Sequence, residues 1–153
     1  MALIFQSPRD LIGKEGTPLH PSEWLTIEQD RINAFADCTG DHQWIHVDPE
    51  RAKDGPFGAT IAHGYLTLSL TNLFMPQMID VRGFRNGLNV GMDRTRFLTP
   101  VKAGSRIRGT GVIQSAEIAK GDTIQCVIRI TVEIEGEEKP ALVVDAITRY
   151  FPE

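Results

Sequence analysis

The sequence has few cysteines and no long hydrophobic run. Its 153 residues include two cysteines, Cys38 and Cys126, in neither a paired nor a metal-ligand spacing, which excludes a disulfide framework and a cysteine zinc site. No stretch approaches the roughly 20 apolar residues of a membrane-spanning helix. The first nine residues lack the basic start and the length of a signal peptide. We therefore expect a cytoplasmic protein with reduced thiols and no membrane partner.

An excess of basic residues is also absent. The chain has 16 Lys and Arg against 20 Asp and Glu, a formal net charge of −4 and a pI near 5.6. Binding to nucleic acid would require a local basic stripe, and the sequence contains none. Glycines and prolines are scattered, no segment is repeated, and nothing marks a linker. We expect one domain over residues 1–153 and no nucleic-acid partner.

The first half of the chain carries helix signals. Thr26 and Gln29 have the spacing of a capping box at the start of an amphipathic helix, and Gly40 is placed to end that helix. Asp48 followed by Pro49 predicts a second, short helix. Residues 65–79 are apolar round most of a helical circumference. Such a pattern is typical of a buried helix, which Pro76 is expected to kink or end.

The second half of the chain alternates apolar and polar residues, most clearly over 124–134. Period-two alternation predicts half-buried strands joined by short turns, and the order of the segments favours an antiparallel meander. The predicted strands cover residues 88–98, 105–118, 124–134 and 141–151. One buried helix and a long sheet that wraps it define an α+β fold, in which helices and strands are segregated along the chain.

An aspartate and a histidine lie five positions apart between the first two predicted helices. Asp41 and His46 belong to segment 41–47, which we predict to be a short exposed turn. A carboxylate and an imidazole on one turn can converge on a small molecule and move a proton near neutral pH. The spacing alone is equally typical of a surface aspartate after a helix and a hydrogen-bonded histidine without a catalytic role.

The tripeptide Ala62-His63-Gly64 stands directly before the predicted buried helix. The first N–H groups of a helix have no partner within it, so this end can bind an oxygen that becomes negative. Gly64 has no side chain to block that approach, although a glycine here is also typical of close helix–sheet packing, with Thr60 or His63 as the helix cap. Combined with Asp41 and His46, the segment supplies what chemistry next to a carbonyl requires.

Two long segments resemble one known family. Residues 35–52, FADCTGDHQWIHVDPERA, resemble the hydratase-2 motif of MaoC-like (R)-specific enoyl-CoA hydratases, in the branch called nodulation-protein-N-like. Residues 56–70, PFGATIAHGYLTLSL, are similar to the second hallmark of that branch. Arg96-Phe97 and Pro100-Val101 resemble its later strand signature. The resemblance covers the chain from about Trp24 to the C terminus.

This resemblance implies a hot-dog fold, usually paired into a homodimer, and the reversible hydration of trans-2-enoyl thioesters to (3R)-3-hydroxyacyl thioesters. The catalytic aspartate and histidine of the family correspond to Asp41 and His46, and its oxyanion-binding amide corresponds to Gly64. We assign neighbouring residues to substrate binding: Gln43, Ala62 and His63. Many members have asparagine at the position of Gln43, and Tyr-Gly-Leu-Asn where this chain has Val90-Gly91-Met92-Asp93.

The implied substrate is a thioester of coenzyme A or of an acyl-carrier protein. No metal and no cofactor are expected, apart from the coenzyme A of the substrate itself. Arg106 and Arg108 lie on one face of a predicted strand, where they either meet phosphates of coenzyme A or form a solvated face. Two other functions remain open, because a fold does not determine a reaction: a thioesterase, and a noncatalytic module that binds acyl thioesters.

Overall fold

The computed structural model describes residues 1–153 and has an α+β architecture. The helices are α1 Gln29–Thr39, α2 Trp44–Val47, α3 Pro49–Ala52, α4 Gly64–Ser69 and α5 Thr71–Met78. The strands are β1 Leu3–Phe5, β2 Pro18–Leu19, β3 Leu25–Thr26, β4 Ile79–Val81, β5 Asn86–Phe97, β6 Arg106–Ile118, β7 Ile124–Ile134 and β8 Leu142–Phe151. None of the helices is long and apolar enough to cross a membrane.

The main sheet has the strand order β2-β6-β7-β8-β5, and β3 also pairs with β6. All of these pairs are antiparallel, whereas β1 and β4 form a separate parallel pair. The predicted meander is confirmed for β6, β7 and β8 but is wrong for β5. Because β2 and β3 occupy the outer edge of β6, β5 joins the sheet at the free edge of β8.

The core lies between this sheet and the central helical segment. β7 alternates between buried and half-buried residues over its whole length, as its period-two sequence predicts. Buried side chains from β6, β7 and β8 pack with Phe74 and Met78 of α5. The contact is close at Gly109, where an added Cβ would lie 2.8 Å from the Cβ of Phe74. The sheet therefore wraps the helix tightly, and the fold class predicted from the sequence is confirmed.

The central helical segment differs from its prediction in two respects. It is divided at Leu70 into α4 and α5, although Leu70 keeps right-handed helical angles (φ −68°, ψ −12°). Pro76 lies inside α5, which continues to Met78. The segment is not buried on all sides, since Tyr65 is 71% exposed and Leu73 is also exposed. Its apolar outer side is therefore left uncovered by the chain itself.

The start of α1 also differs from its prediction. Thr26 lies in β3, where its backbone pairs with β6, so it does not form the predicted capping box, and the helix begins at Gln29. The other two predicted helix signals are confirmed. Gly40 ends α1 in the left-handed region (φ 82°), and the Asp48 carboxylate caps α3 by accepting a hydrogen bond from the Arg51 N–H.

Candidate active site

The turn that carries Asp41 and His46 is more ordered than the sequence predicts. Its second half forms α2, and His46 is only 6% exposed, so the expectation of an exposed turn is wrong there. The side chain of Asp41 keeps 53% of its surface exposed. The pair thus joins a buried imidazole to a carboxylate at the surface.

The geometry of this pair leaves two hydrogen-bond acceptors facing each other. His46 Nδ1 lies 2.7 Å from the carbonyl oxygen of Ile61. A carbonyl only accepts, so Nδ1 carries the proton in the neutral ring and Nε2 keeps its lone pair. His46 Nε2 and Asp41 Oδ2 are 4.0 Å apart. This distance is too long for a direct hydrogen bond, but a water about 2.8 Å from each atom would form an angle of about 90° between them.

Residues 61–63, which lead into α4, hold this turn in place. The N–H of Ile61 donates to the carbonyl of Ile45 at 3.0 Å. Ring nitrogen Nε2 of His63 lies 3.0 Å from the carbonyl oxygen of Asp41, to which it donates. Together with the bond from His46 Nδ1, these contacts tie both ends of the turn to the start of the central helix.

Gln29 links α1 to the same two segments. Its Nε2 donates to the carbonyl of His46 at 2.7 Å, and its Oε1 accepts from the Thr60 hydroxyl at 2.5 Å. The sequence does not predict Gln29 and Thr60 as site residues, because neither belongs to a spacing pattern typical of catalysis. Only the folded chain brings them to the backbone of His46.

His63 was predicted to bind substrate, but the structure places it beneath the turn. It is 3% exposed. Its ring stacks on that of His46, with centroids 3.9 Å apart and planes 22° apart, and the ring of Phe35 covers it at 4.9 Å. Ring nitrogen Nδ1 of His63 is buried and has no hydrogen-bond partner.

Asp41, His46 and His63 bring one potential ligand atom each to within 4.8 Å of one another. A metal ion would require their lone pairs to converge on one point. The lone pairs of the two histidines lie in the planes of stacked rings, whose centroids are 3.9 Å apart and whose planes differ by only 22°, so they have no common point close to both rings. The arrangement of the rings therefore does not match the geometry of a metal centre.

Gly64 is the first residue of α4, and its N–H has no hydrogen-bond partner in the protein. It lines a cavity of about 260 Å³. Six of the ten lining residues are hydrophobic, and they include Ile61, Ala62, Phe97 and Leu98. An added Cβ on Gly64 would lie 3.0 Å from the ring of Phe97. The cavity therefore presents a free N–H beside apolar walls.

The remaining candidates lie outside this cavity. Asp41 and His46 are not among its lining residues, and they reach it only through segment 61–64. Gln43 is exposed, and its backbone N–H, rather than its side chain, contacts the Asp41 carboxylate at 3.3 Å. His42 faces solvent, and a hydrogen bond to Asp37 raises the pKa of its ring.

Arg106 and Arg108 form a solvated face, the second of the two alternatives predicted for them. Arg106 pairs with Glu135 at 2.7 Å, and Arg108 pairs with Glu133 at 2.8 Å. The guanidinium of Arg108 also lies over the ring of Trp24, 4.4 Å from its centroid. Both guanidinium groups are already paired with glutamate carboxylates, so neither is free to bind a phosphate without breaking an ion pair.

The fold and the site define a hot-dog protein with an aspartate–histidine pair tied to the start of its central helix. The family model described as "MaoC like domain" matches residues 12–136. The chain belongs to the MaoC-like domain family, and the resemblance drawn from its sequence is confirmed. It is 48% identical over 146 residues to the 3-hydroxyacyl-thioester dehydratase Z of Mycobacterium tuberculosis (strain ATCC 25618 / H37Rv), covering 95% of this chain and 97% of the relative.

A second relative agrees with this assignment, and two solved structures have a similar fold. Nodulation protein N of Rhizobium leguminosarum bv. viciae is 47% identical over 141 residues, covering 91% of this chain and 88% of the relative. The fold is similar to that of an (R)-hydratase from A. caviae involved in PHA biosynthesis, with a TM-score of 0.72, 20% identity, and coverage of 88% and 94%. It is also similar to a MaoC-like dehydratase from Rhodospirillum rubrum, with a TM-score of 0.74, 20% identity, and coverage of 91% and 93%.

Proposed function

We propose that the protein is a hydro-lyase that interconverts (3R)-3-hydroxyacyl thioesters with trans-2-enoyl thioesters and water. The observation that carries this proposal is the 4.0 Å gap between Asp41 Oδ2 and His46 Nε2, which suits one water between two acceptors. The relative named 3-hydroxyacyl-thioester dehydratase Z supports it over nearly the whole chain. The reaction needs no cofactor other than the thioester carrier of the substrate.

In the hydration direction, the dyad orients and activates the water. One O–H donates to Asp41 Oδ2 and the other to His46 Nε2, so the oxygen presents a lone pair to C3 of the substrate. As the C3–O bond forms, one member of the dyad takes a proton from the water. That proton is then delivered to C2, so the net change is addition of H and OH across the double bond. Dehydration follows the same path in reverse.

Between these two proton transfers, negative charge collects on the thioester oxygen. We assign the binding of this oxygen to the N–H of Gly64, because that N–H has no hydrogen-bond partner in the protein and Gly64 lines a mainly hydrophobic cavity. A preorganised N–H in an apolar site stabilises a developing anion more effectively than water does. Removal of one such donor slows an enzyme by about 10²–10³-fold.

We infer that two copies of the chain form a homodimer. Every residue of β5 except Thr95 is exposed, which leaves a long strand with apolar side chains at the edge of the sheet. Such an edge is prone to pair with another chain unless it is covered. Phe97 and Leu98, at the end of β5, also line the cavity beside Gly64. A second copy on this edge would therefore complete the wall of the acyl site.

The proposed function is tested by incubating the protein with a short and a long trans-2-enoyl-CoA. Loss of the conjugated double bond, release of free thiol and configuration of the product are followed separately. We expect loss of the double bond, a 3R product and no release of thiol. Release of thiol at a comparable rate would identify a thioesterase. Tight binding with neither signal at any chain length would identify a noncatalytic binding module.

A further inference from the structure

Three parts of the proposed site meet at His63. It donates to the carbonyl of Asp41, stacks on the ring of His46 and directly precedes Gly64. We propose that His63 is a positioning residue, which holds the Asp41 carboxylate at its working distance from His46 and from the Gly64 N–H. This inference rests on the proposed dehydratase function and assigns His63 no contact with substrate.

The hydrogen bond to Asp41 is important because little else holds that residue. The Asp41 carboxylate is half exposed and accepts only the N–H of Gln43, two residues along the chain, at 3.3 Å. The bond from His63 Nε2 reaches the backbone of Asp41 across 22 residues of sequence. It is the one hydrogen bond that fixes Asp41 relative to the central helix.

The position of His63 requires a flat ring that packs between two other rings and an N–H that donates, and an imidazole provides both. Its flat ring fills the space between the rings of Phe35 and His46, while Nε2–H reaches the carbonyl of Asp41. A phenyl ring would stack without donating, and an amide side chain would donate without stacking. Histidine also leaves Nδ1 buried without a partner, which is unfavourable for stability. A residue chosen for packing alone would avoid that unpartnered atom.

The role of the donor is tested with two variants of equal length. His63→Gln and His63→Met both lose the aromatic ring, but only glutamine keeps an N–H that reaches the carbonyl of Asp41. We expect His63→Met to lower kcat by about ten- to a hundredfold, the usual effect of a small misplacement of a catalytic group. We expect KM to stay within about twofold, as for an interaction made in the transition state. His63→Gln should recover most of the lost kcat.

A second measurement separates positioning from general stability. If His63 acts through the Asp41 carboxylate, His63→Met in an Asp41→Asn background should lower kcat by less than about threefold, since coupled residues are not additive. The same loss in both backgrounds would overturn the proposal. So would equal losses in His63→Gln and His63→Met, or a rise in KM without a fall in kcat.

The pH profile of His63→Gln tests whether His63 has a direct catalytic role. We expect the variant to keep both limbs of the wild-type profile of kcat/KM; loss of one limb would make His63 an acid–base catalyst and overturn the proposal. If His63→Met does not fold, His63→Asn replaces it, because its amide is too short to reach the carbonyl of Asp41. Turnover by the unmodified protein tests the proposed function itself, so the two failures are distinguishable.

Discussion

Replacement of Asp41 by asparagine removes the negative charge beside the proposed water, and with it the ability of this side chain to take a proton, while the shape of the side chain stays nearly the same. The side chain is half exposed and accepts only a local hydrogen bond, so we expect the free energy of unfolding to change by no more than about 0.5 kcal/mol. We expect kcat to fall by about 10²–10⁴-fold, the range of general acid–base catalysis. That loss corresponds to about 3–5 kcal/mol of transition-state stabilisation.

For His46 the structure selects asparagine as the informative replacement. The amide nitrogen of asparagine lies near the position of Nδ1 and can still donate to the buried carbonyl of Ile61, while the lone pair of Nε2 is lost. Alanine would leave that carbonyl without a hydrogen-bond partner and would lower the free energy of unfolding by about 1–3 kcal/mol. A loss of activity could then come from unfolding rather than from the missing lone pair. His46→Asn should therefore lower kcat as strongly as Asp41→Asn does and keep the fold.

The assay follows loss of the conjugated double bond, with circular dichroism and thermal melting as tests of folding. Because both residues act on one water, the double variant should be scarcely slower than the slower single variant. His42→Gln is the matched control, since His42 is exposed and bonded to Asp37, and its turnover should stay within a few-fold of wild type. Near-normal turnover in a folded Asp41 or His46 variant would refute the dyad.

Three further outcomes follow from the structure. Gly64→Ala should lower kcat/KM by about tenfold at unchanged thermal stability, because the new Cβ displaces the ring of Phe97 at 3.0 Å and narrows the cavity; unchanged turnover across chain lengths would contradict that. Iodoacetamide at pH 8 should label one thiol per folded chain, as measured by mass spectrometry. Cys38 is exposed, whereas burial raises the pKa of Cys126 to about 12 and keeps it in the unreactive thiol form. Equal labelling of both cysteines would contradict the placement of Cys126 in the hydrophobic core. Met92→Lys on the exposed β5 should shift light scattering from dimer to monomer mass, and a monomeric wild-type protein would refute the dimer.

The sequence by itself determined one strand, two helix ends and the family, because each of these depends on residues that are close together in the chain. The alternation in 124–134 predicts β7 because side chains of a strand point to opposite faces with period two. Gly40 and Asp48 mark helix ends because they act within one turn of their own position. The motif containing Asp41 and His46 identified the family for the same reason, since all of its residues lie in one short segment.

Tertiary structure alone decided how the site is held together. The bond from His46 to Ile61 spans 15 residues and the bond from His63 to Asp41 spans 22, and no local pattern encodes such partners. These bonds determine which nitrogen of His46 keeps its lone pair, and they place His63 under the turn rather than in the cavity. Likewise, Thr26 lies in β3 rather than at the start of a helix because its pairing with β6 overrides local propensity. The pairing of β5 with β8 also depends on segments that are distant in sequence.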